Sequence, residues 1–201
     1  MTKHDEQKNR TNDMIINTLL SLGDTKPLSK ISVSDITKHA KINRGTFYLH
    51  YESKEDLVAY LESKLLDGIH QIIDQNIEMT MDRSFFLEGK IYPVIILLIE
   101  FIFDNQKLFK LLLNSNTSIL FRDSVKVLLQ DIIKQSLQLS RQIKKEVPDI
   151  PDSYAFDIIS TTILAISMKW LENTDEITPD KVARLMMSSL FLSPYQMLGF
   201  D

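Results

Sequence analysis

No cysteine occurs among the 201 residues, which excludes a disulfide framework, a thiol nucleophile and thiolate metal sites. Glycine is scarce, at five, and no Asn-Gly or Asp-Gly pair is flanked by the alternating apolar residues of a hairpin, so strands are not expected. Long apolar runs are missing too: the longest, 93–99 within IYPVIILLIE, falls far short of the roughly 20 residues a spanning helix needs. The opening MTKHDEQKNRTND is too polar for a secretory signal. These absences lead to the expectation of a soluble cytoplasmic protein with no membrane partner.

Catalytic signatures are lacking as well. His4, His39, His50 and His70 are scattered and form no HExxH. No glycine-rich phosphate loop and no GxSxG elbow are present. Carboxylates such as Glu100 and Asp104 share helical spacing, which is common on solvated faces. No enzyme, metal site or cofactor is therefore expected.

What is present is apolar content of 44%, enough for a substantial core in one medium domain or in a small head joined to a larger body. The net charge of −4 by itself argues against binding to phosphates, but it is unevenly spread. Through Asp56 there are 9 Lys/Arg and 8 Asp/Glu, a balance of +1, against 14 and 19, a balance of −5, in the remainder. An amino-terminal head could meet nucleic acid while an acidic body faces away.

Apolar spacing predicts helices almost throughout. In 10–22, Met14, Ile15, Thr18, Leu19 and Leu22 recur every three or four residues, and Gly23 with DTKP ends that helix. Ser32 with Asp35 has the spacing of a capping box opening a helix to about Ala40, with Val33, Ile36 and Ala40 inward. A turn over Lys41 and Ile42 leads to Asn43, a residue suited to cap a short helix over 44–50. Ser53 with Asp56 repeats the capping spacing and starts a long helix through Leu57, Leu61, Leu65, Ile69 and Ile72. Further helices are expected over 85–103, 107–113, 119–144, 154–171 and 179–191, the last with Pro179 in its first turn. The fold class is all-α, with a three-helix head over 8–53 and a helical body over 54–201.

The segment VSDITKHAKINRGTFYLHY, at 33–51, fits a compact helix-turn-helix. Ile42 is the apolar residue that packs both helices at the turn. Arg44, Gly45, Thr46, Tyr48 and His50 then crowd a short helix with groups able to reach phosphates or base edges, while Phe47 and Tyr51 are its inward anchors. The five-donor fork of Arg44 can match guanine O6 and N7 in the major groove, or bind a phosphate. Thr46 can touch a phosphate or a thymine methyl, Gly45 removes bulk, and the Tyr48 hydroxyl can register the protein on the backbone.

These residues, with ISVSDITKHAKINRGTFYLHYESKEDL as a whole, resemble the TetR family of bacterial transcriptional regulators. The body, through FIFDNQKLFKLLL and ISMKWLENTDEITPDKVARLM, resembles a subgroup common in low-GC Gram-positive bacteria. The resemblance implies a homodimer whose paired heads read a palindromic double-stranded DNA operator, with recognition helices about 34–36 Å apart. It implies repression by blockade of a promoter, with activation controlled by an accessory protein as the alternative. It places Ser34, Arg44, Gly45, Thr46, Leu49 and His50 at or near bases and gives Lys54 a phosphate contact; from residue type alone, Lys54 is equally a surface charge. The chain departs from the family in having Lys41 where glycine is usual, so lysine must avoid a positive φ or bear its cost. Asn43 replaces a common serine.

The body has two further expected roles. Ile159, Ile163 and Ile166 on one segment, and Val182, Leu185, Met186 and Ser189 on another, offer apolar surface either for the subunit core or for the four-helix dimer interface that the resemblance implies. Tyr92, Glu100, Phe103, Phe121 and Trp170 combine large apolar surfaces with groups able to orient a ligand, and either fill the core or line a pocket for a small-molecule effector. The effector class stays open, and the same body could instead hold a protein partner. Coupling would run through the long fourth helix, by differential binding to two arrangements of the body.

Overall fold

The computed structural model describes residues 3–76, 84, 87–113, 119–139 and 150–200, and every element among them is helical. In chain order these are α1 (Lys3–Gly23), a 3-10 turn (Leu28–Lys30), α2 (Val33–Ala40), α3 (Arg44–Tyr48) and α4 (Lys54–Asn76). They continue with α5 (Pro93–Asp104), α6 (Gln106–Leu113), α7 (Ile119–Leu139), α8 (Asp152–Glu172), α9 (Pro179–Phe191) and the short α10 (Pro194–Met197). The expected all-α architecture holds. Residues 85 and 86 and residues 140–144, included in two expected helices, lie outside the described residues.

The chain forms two compact units, one of Met1–Leu65 with Lys107–Phe121, the other of Leu66–Gln106 with Arg122–Asp201. In the first, Ile15, Leu19 and Leu22 of α1, Ile36 and Ala40 of α2, Phe47 and Tyr51 around α3, and Leu57, Leu61 and Leu65 of α4 are all buried. Each fully buried aliphatic or aromatic side chain stabilises the fold by roughly 1.5–3 kcal/mol. Met14, expected inward, is 39% exposed. It lies one position from Ile15, about 100° around the helix, and so falls at the margin of the buried stripe.

Burial along α4 follows Leu57, Leu61, Leu65, Ile69 and Ile73. Steps of four residues advance about 40° each around a 3.6-residue helix, so this stripe winds slowly about the axis. It reaches Ile73 rather than the expected Ile72, which is only half-buried.

The second unit is built on Ile99, Trp170, Val182, Ala183 and Met186, against which Ile95, Ile102, Ile163, Ile166 and Ile177 pack. α5 and α9 share the most extensive helix contact, and α8 also packs on α9. The Trp170 Nε1–H donates to the Ile177 carbonyl at 2.8 Å, closing the α8–α9 connection, while the buried Thr174 hydroxyl donates to Gln106 Oε1 at 2.8 Å. Proline occupies the first turn of both α5 and α9, where its missing N–H costs no helical bond. Pro93 accordingly begins α5, later than the expected helix over 85–103.

Candidate nucleic-acid interface

The candidate surface starts at the cap of α2. Ser32 Oγ accepts from the Asp35 N–H at 3.2 Å and donates to Asp35 Oδ2 at 2.8 Å, while the Ser32 N–H donates to that carboxylate at 2.9 Å. Lys26 Nζ lies 3.1 Å from the same oxygen. The two hydrogen bonds from Ser32, followed by Lys26, hold the Asp35 carboxyl well below the usual carboxylate range. The expected capping box is present.

At the other end of α2, Lys41 takes the left-handed conformation, φ 54° and ψ 41°. Here the Lys41 N–H donates to Lys38 O and the Ile42 N–H to Thr37 O at 3.0 Å, the long closing bond of a Schellman turn. A residue with a Cβ thus bears a conformation that glycine adopts freely. Asn43 occupies the next cap position, but its side chain makes no capping bond, contrary to expectation; its carbonyl accepts from the Thr46 and Phe47 N–H groups.

α3 is a short helix held from inside. Phe47 is fully buried and Tyr51 is 6% exposed, with their rings 5.9 Å apart and the Tyr60 ring 5.7 Å from Tyr51. The Tyr51 hydroxyl donates to Asn12 Oδ1 of α1. Burial, reinforced by Tyr60, pushes the Tyr51 phenol up to about 12 despite the opposing Asn12 bond. Of the candidate DNA residues, Arg44, Gly45, Tyr48 and Leu49 are exposed, Leu49 by 79%, while Ser34, Thr46 and His50 are half-buried. A Cβ at Gly45 would meet nothing within 4 Å, so no neighbouring atom of the fold requires glycine there. Desolvation, followed by the nearby Lys8 cation, lowers the His50 pKa from its ordinary 6.5.

Lys54 is less free than its place in the sequence suggested. Its side chain is 17% exposed, and Nζ donates to Leu28 O at 3.2 Å and lies 3.6 Å from Glu55 Oε1. The second capping pair is split: Ser53 Oγ accepts from the Asp56 N–H at 3.0 Å, but the Asp56 carboxylate accepts from the Glu52 N–H at 2.9 Å rather than from Ser53.

The candidate effector residues separate. Phe103 stacks on Trp170, with centroids 6.0 Å apart and planes at 19°. Tyr92 caps the opposite end of α5, about 16 Å along the helix axis, and meets the Phe191 ring edge-on. Glu100 is exposed, and Phe121 is buried in the other compact unit. Among the candidate dimer residues, Val182 and Met186 are covered by their own chain, and Ile163 and Ile166 pack on the same cluster. Ile159 and Ser189 are half-buried, while Leu185 is exposed, as are Ile158 and Tyr154 of α8. Among the described residues, no group of three or more His, Asp or Glu side chains is placed to hold a metal, and no helix is long and apolar enough to cross a membrane.

The HTH-type transcriptional regulator AlkX of Mycobacterium tuberculosis is 29% identical over 97 residues, which are 43% of this chain and 46% of that relative, so the match spans about half the relative's length. A TetR transcriptional regulator from Streptococcus agalactiae shares the fold with a TM-score of 0.63 at 24% identity, over 93% of this chain and 97% of that one. A TetR-family regulator structure from Syntrophomonas wolfei gives 0.65 at 20%, over 90% and 93%. The family model described as bacterial regulatory proteins, tetR family, matches residues 15–61, and the TetR-type model described as transcriptional regulator C-terminal region matches residues 89–191. The first covers the helix-turn-helix and the second about half of the chain; the protein belongs to the TetR family of DNA-binding transcriptional regulators.

Proposed function

We propose that this protein is a ligand-responsive repressor that acts as a homodimer on a palindromic operator. The observation that carries the reading is the division of the segment 44–51, α3 and the residues just after it, with Phe47 and Tyr51 committed to the core while Arg44, Gly45, Tyr48 and Leu49 are left on the surface. Arg44 reads a guanine edge, Thr46 and Leu49 contact bases or thymine methyls, and Tyr48 and Lys54 register the protein on phosphates, with Ser34 and His50 alongside. The open space at Gly45 supports close approach of a duplex. For Lys54 this role requires exchange of its Leu28 carbonyl partner for a phosphate.

Dimerisation in this reading uses the exposed side of α8 and α9, with Leu185, Ser189 and Ile159, next to the subunit core that Ile163, Ile166, Val182 and Met186 supply. A small-molecule effector bound in the body, near the Phe103–Trp170 stack, shifts the two heads out of register with successive grooves.

The test is binding-site selection on random duplexes with wild type and Arg44→Ala. The expected result is a palindromic site for the wild type, and for the variant a changed base preference worth about 1–3 kcal/mol at one position of each half-site. A uniform loss across all sequences would leave Arg44 as a backbone contact only. Deleting the gene should raise transcription from the selected promoters, and a fall at those promoters would reverse the sign to activation.

A further inference from the structure

The family match begins at residue 15, yet α1 begins at Lys3. Side chains 5–10 of this overhang are exposed all the way round. A helical segment that buries no face gains no stability from core packing. Six residues extend about 9 Å along the axis, enough to reach past the core of the head.

Its register is fixed from the recognition segment. Asn12 accepts the hydroxyl hydrogen bond of Tyr51, and the Tyr51 ring lies 6.4 Å from that of His50. Lys8 is four residues before Asn12 and therefore on the same side of α1, one turn further out. Arg10 is two residues from Lys8, about 200° around the helix. It lines a separate groove of about 550 Å³ with Met14, Asn17 and His39. Lys8 and Arg10 thus serve different sides.

We infer that Lys8 is an additional DNA-contacting residue, which binds a backbone phosphate beside the His50 end of α3 and is set in place by the Asn12–Tyr51 hydrogen bond. The electrostatic influence of Lys8 on His50 fits this proximity. The interaction extends the DNA surface beyond the helix-turn-helix and adds affinity without base preference, since a lysine ammonium meets phosphate as a point charge. This assignment rests on the DNA-binding reading of α3.

The experiment measures binding of a random-sequence duplex by fluorescence anisotropy between about 50 and about 200 mM salt. It compares the full-length wild type with Lys8→Gln and Arg10→Gln. Removing one phosphate-neutralising cation from each protomer lowers the slope of log affinity against log salt by about 0.9 per protomer. That fall is expected for Lys8→Gln, with Arg10→Gln near the wild-type slope and all three proteins melting at the same temperature. A wild-type slope retained in Lys8→Gln, or an equal fall in Arg10→Gln, would overturn the assignment while leaving DNA binding intact. A wild type with no salt-dependent binding would overturn the DNA reading itself.

Discussion

The edge of the Phe101 ring lies end-on against the bare Cα of Gly68, so closely that a methyl group at residue 68 would occupy the position of the ring's outer carbons. Gly68 is in the middle of α4, where glycine costs roughly 0.5–1 kcal/mol relative to alanine. The close approach of Phe101 of α5 explains why a weaker helix former occupies this position.

Gly68→Ala should therefore destabilise the protein, because displacing a packed ring costs about 1–3 kcal/mol and exceeds the gain in helix propensity. Adding Phe101→Leu should recover part of the loss, a coupling of about 1 kcal/mol in a double-mutant cycle by urea unfolding. A plain stabilisation in the single variant would show that the ring yields freely. Gly23→Ala is the contrasting case: its methyl would lie 2.6 Å from Leu111 Cδ1, the mobile end of a half-buried side chain, and near-neutral stability is expected.

Lys41→Gly should raise stability. Left-handed backbone costs a residue with a Cβ about 1–2 kcal/mol, and the wider unfolded ensemble of glycine returns about 0.4–1 kcal/mol of that gain. Lys41→Val, branched at Cβ in the same conformation, should lower the melting temperature below wild type. Two variants melting alike would contradict the strain at φ 54°.

Asp35→Asn tests the cap of α2. The folded-state pKa of Asp35 is depressed, so its contribution to stability is present above the ordinary 3.8 and is lost as pH falls through the acid range. At neutral pH the variant should melt below wild type, and the gap should close as pH drops below 3.8. A gap of constant size down to the acid limit would show that the charge of the carboxylate plays no part.

Legibility from sequence tracked the separation of the interacting groups. Ser32 and Asp35, three residues apart, announced the start of α2, and the inward spacing of Phe47 and Tyr51 announced the buried side of α3. Lys54 looked like a free surface cation because its partner, the Leu28 carbonyl, is 26 residues away in the chain. Asn12 and Tyr51 are separated by 39 residues and carry no joint signature. In the body, periodicity marked Ile163, Ile166, Val182 and Met186 as apolar, but a stripe reads the same whether it covers its own chain or a second copy. The Asn43 cap failed for a more local reason: the residue suits the position, yet only the orientation of its side chain decides whether the bond forms.

Tyr51→Phe isolates the bond between α1 and the recognition segment. The ring and its packing against Phe47 and Tyr60 are kept, while the hydroxyl that donates to Asn12 is removed. At neutral pH the loss should be about 1 kcal/mol, the net worth of one hydrogen bond. The alkaline limb carries the distinguishing sign. The Tyr51 pKa is raised from 10.0 to about 12, so the neutral phenol stabilises the folded state fully below pH 10 and that stabilisation fades as pH rises through 12. Wild type should therefore lose stability between pH 10 and 12 more steeply than Tyr51→Phe, and the difference between them should shrink there. Ultraviolet titration should show a late tyrosine ionisation in the folded wild type that Tyr51→Phe removes. Superimposable alkaline profiles would mean that the Tyr51 hydroxyl ionises as freely in the folded head as in the unfolded chain.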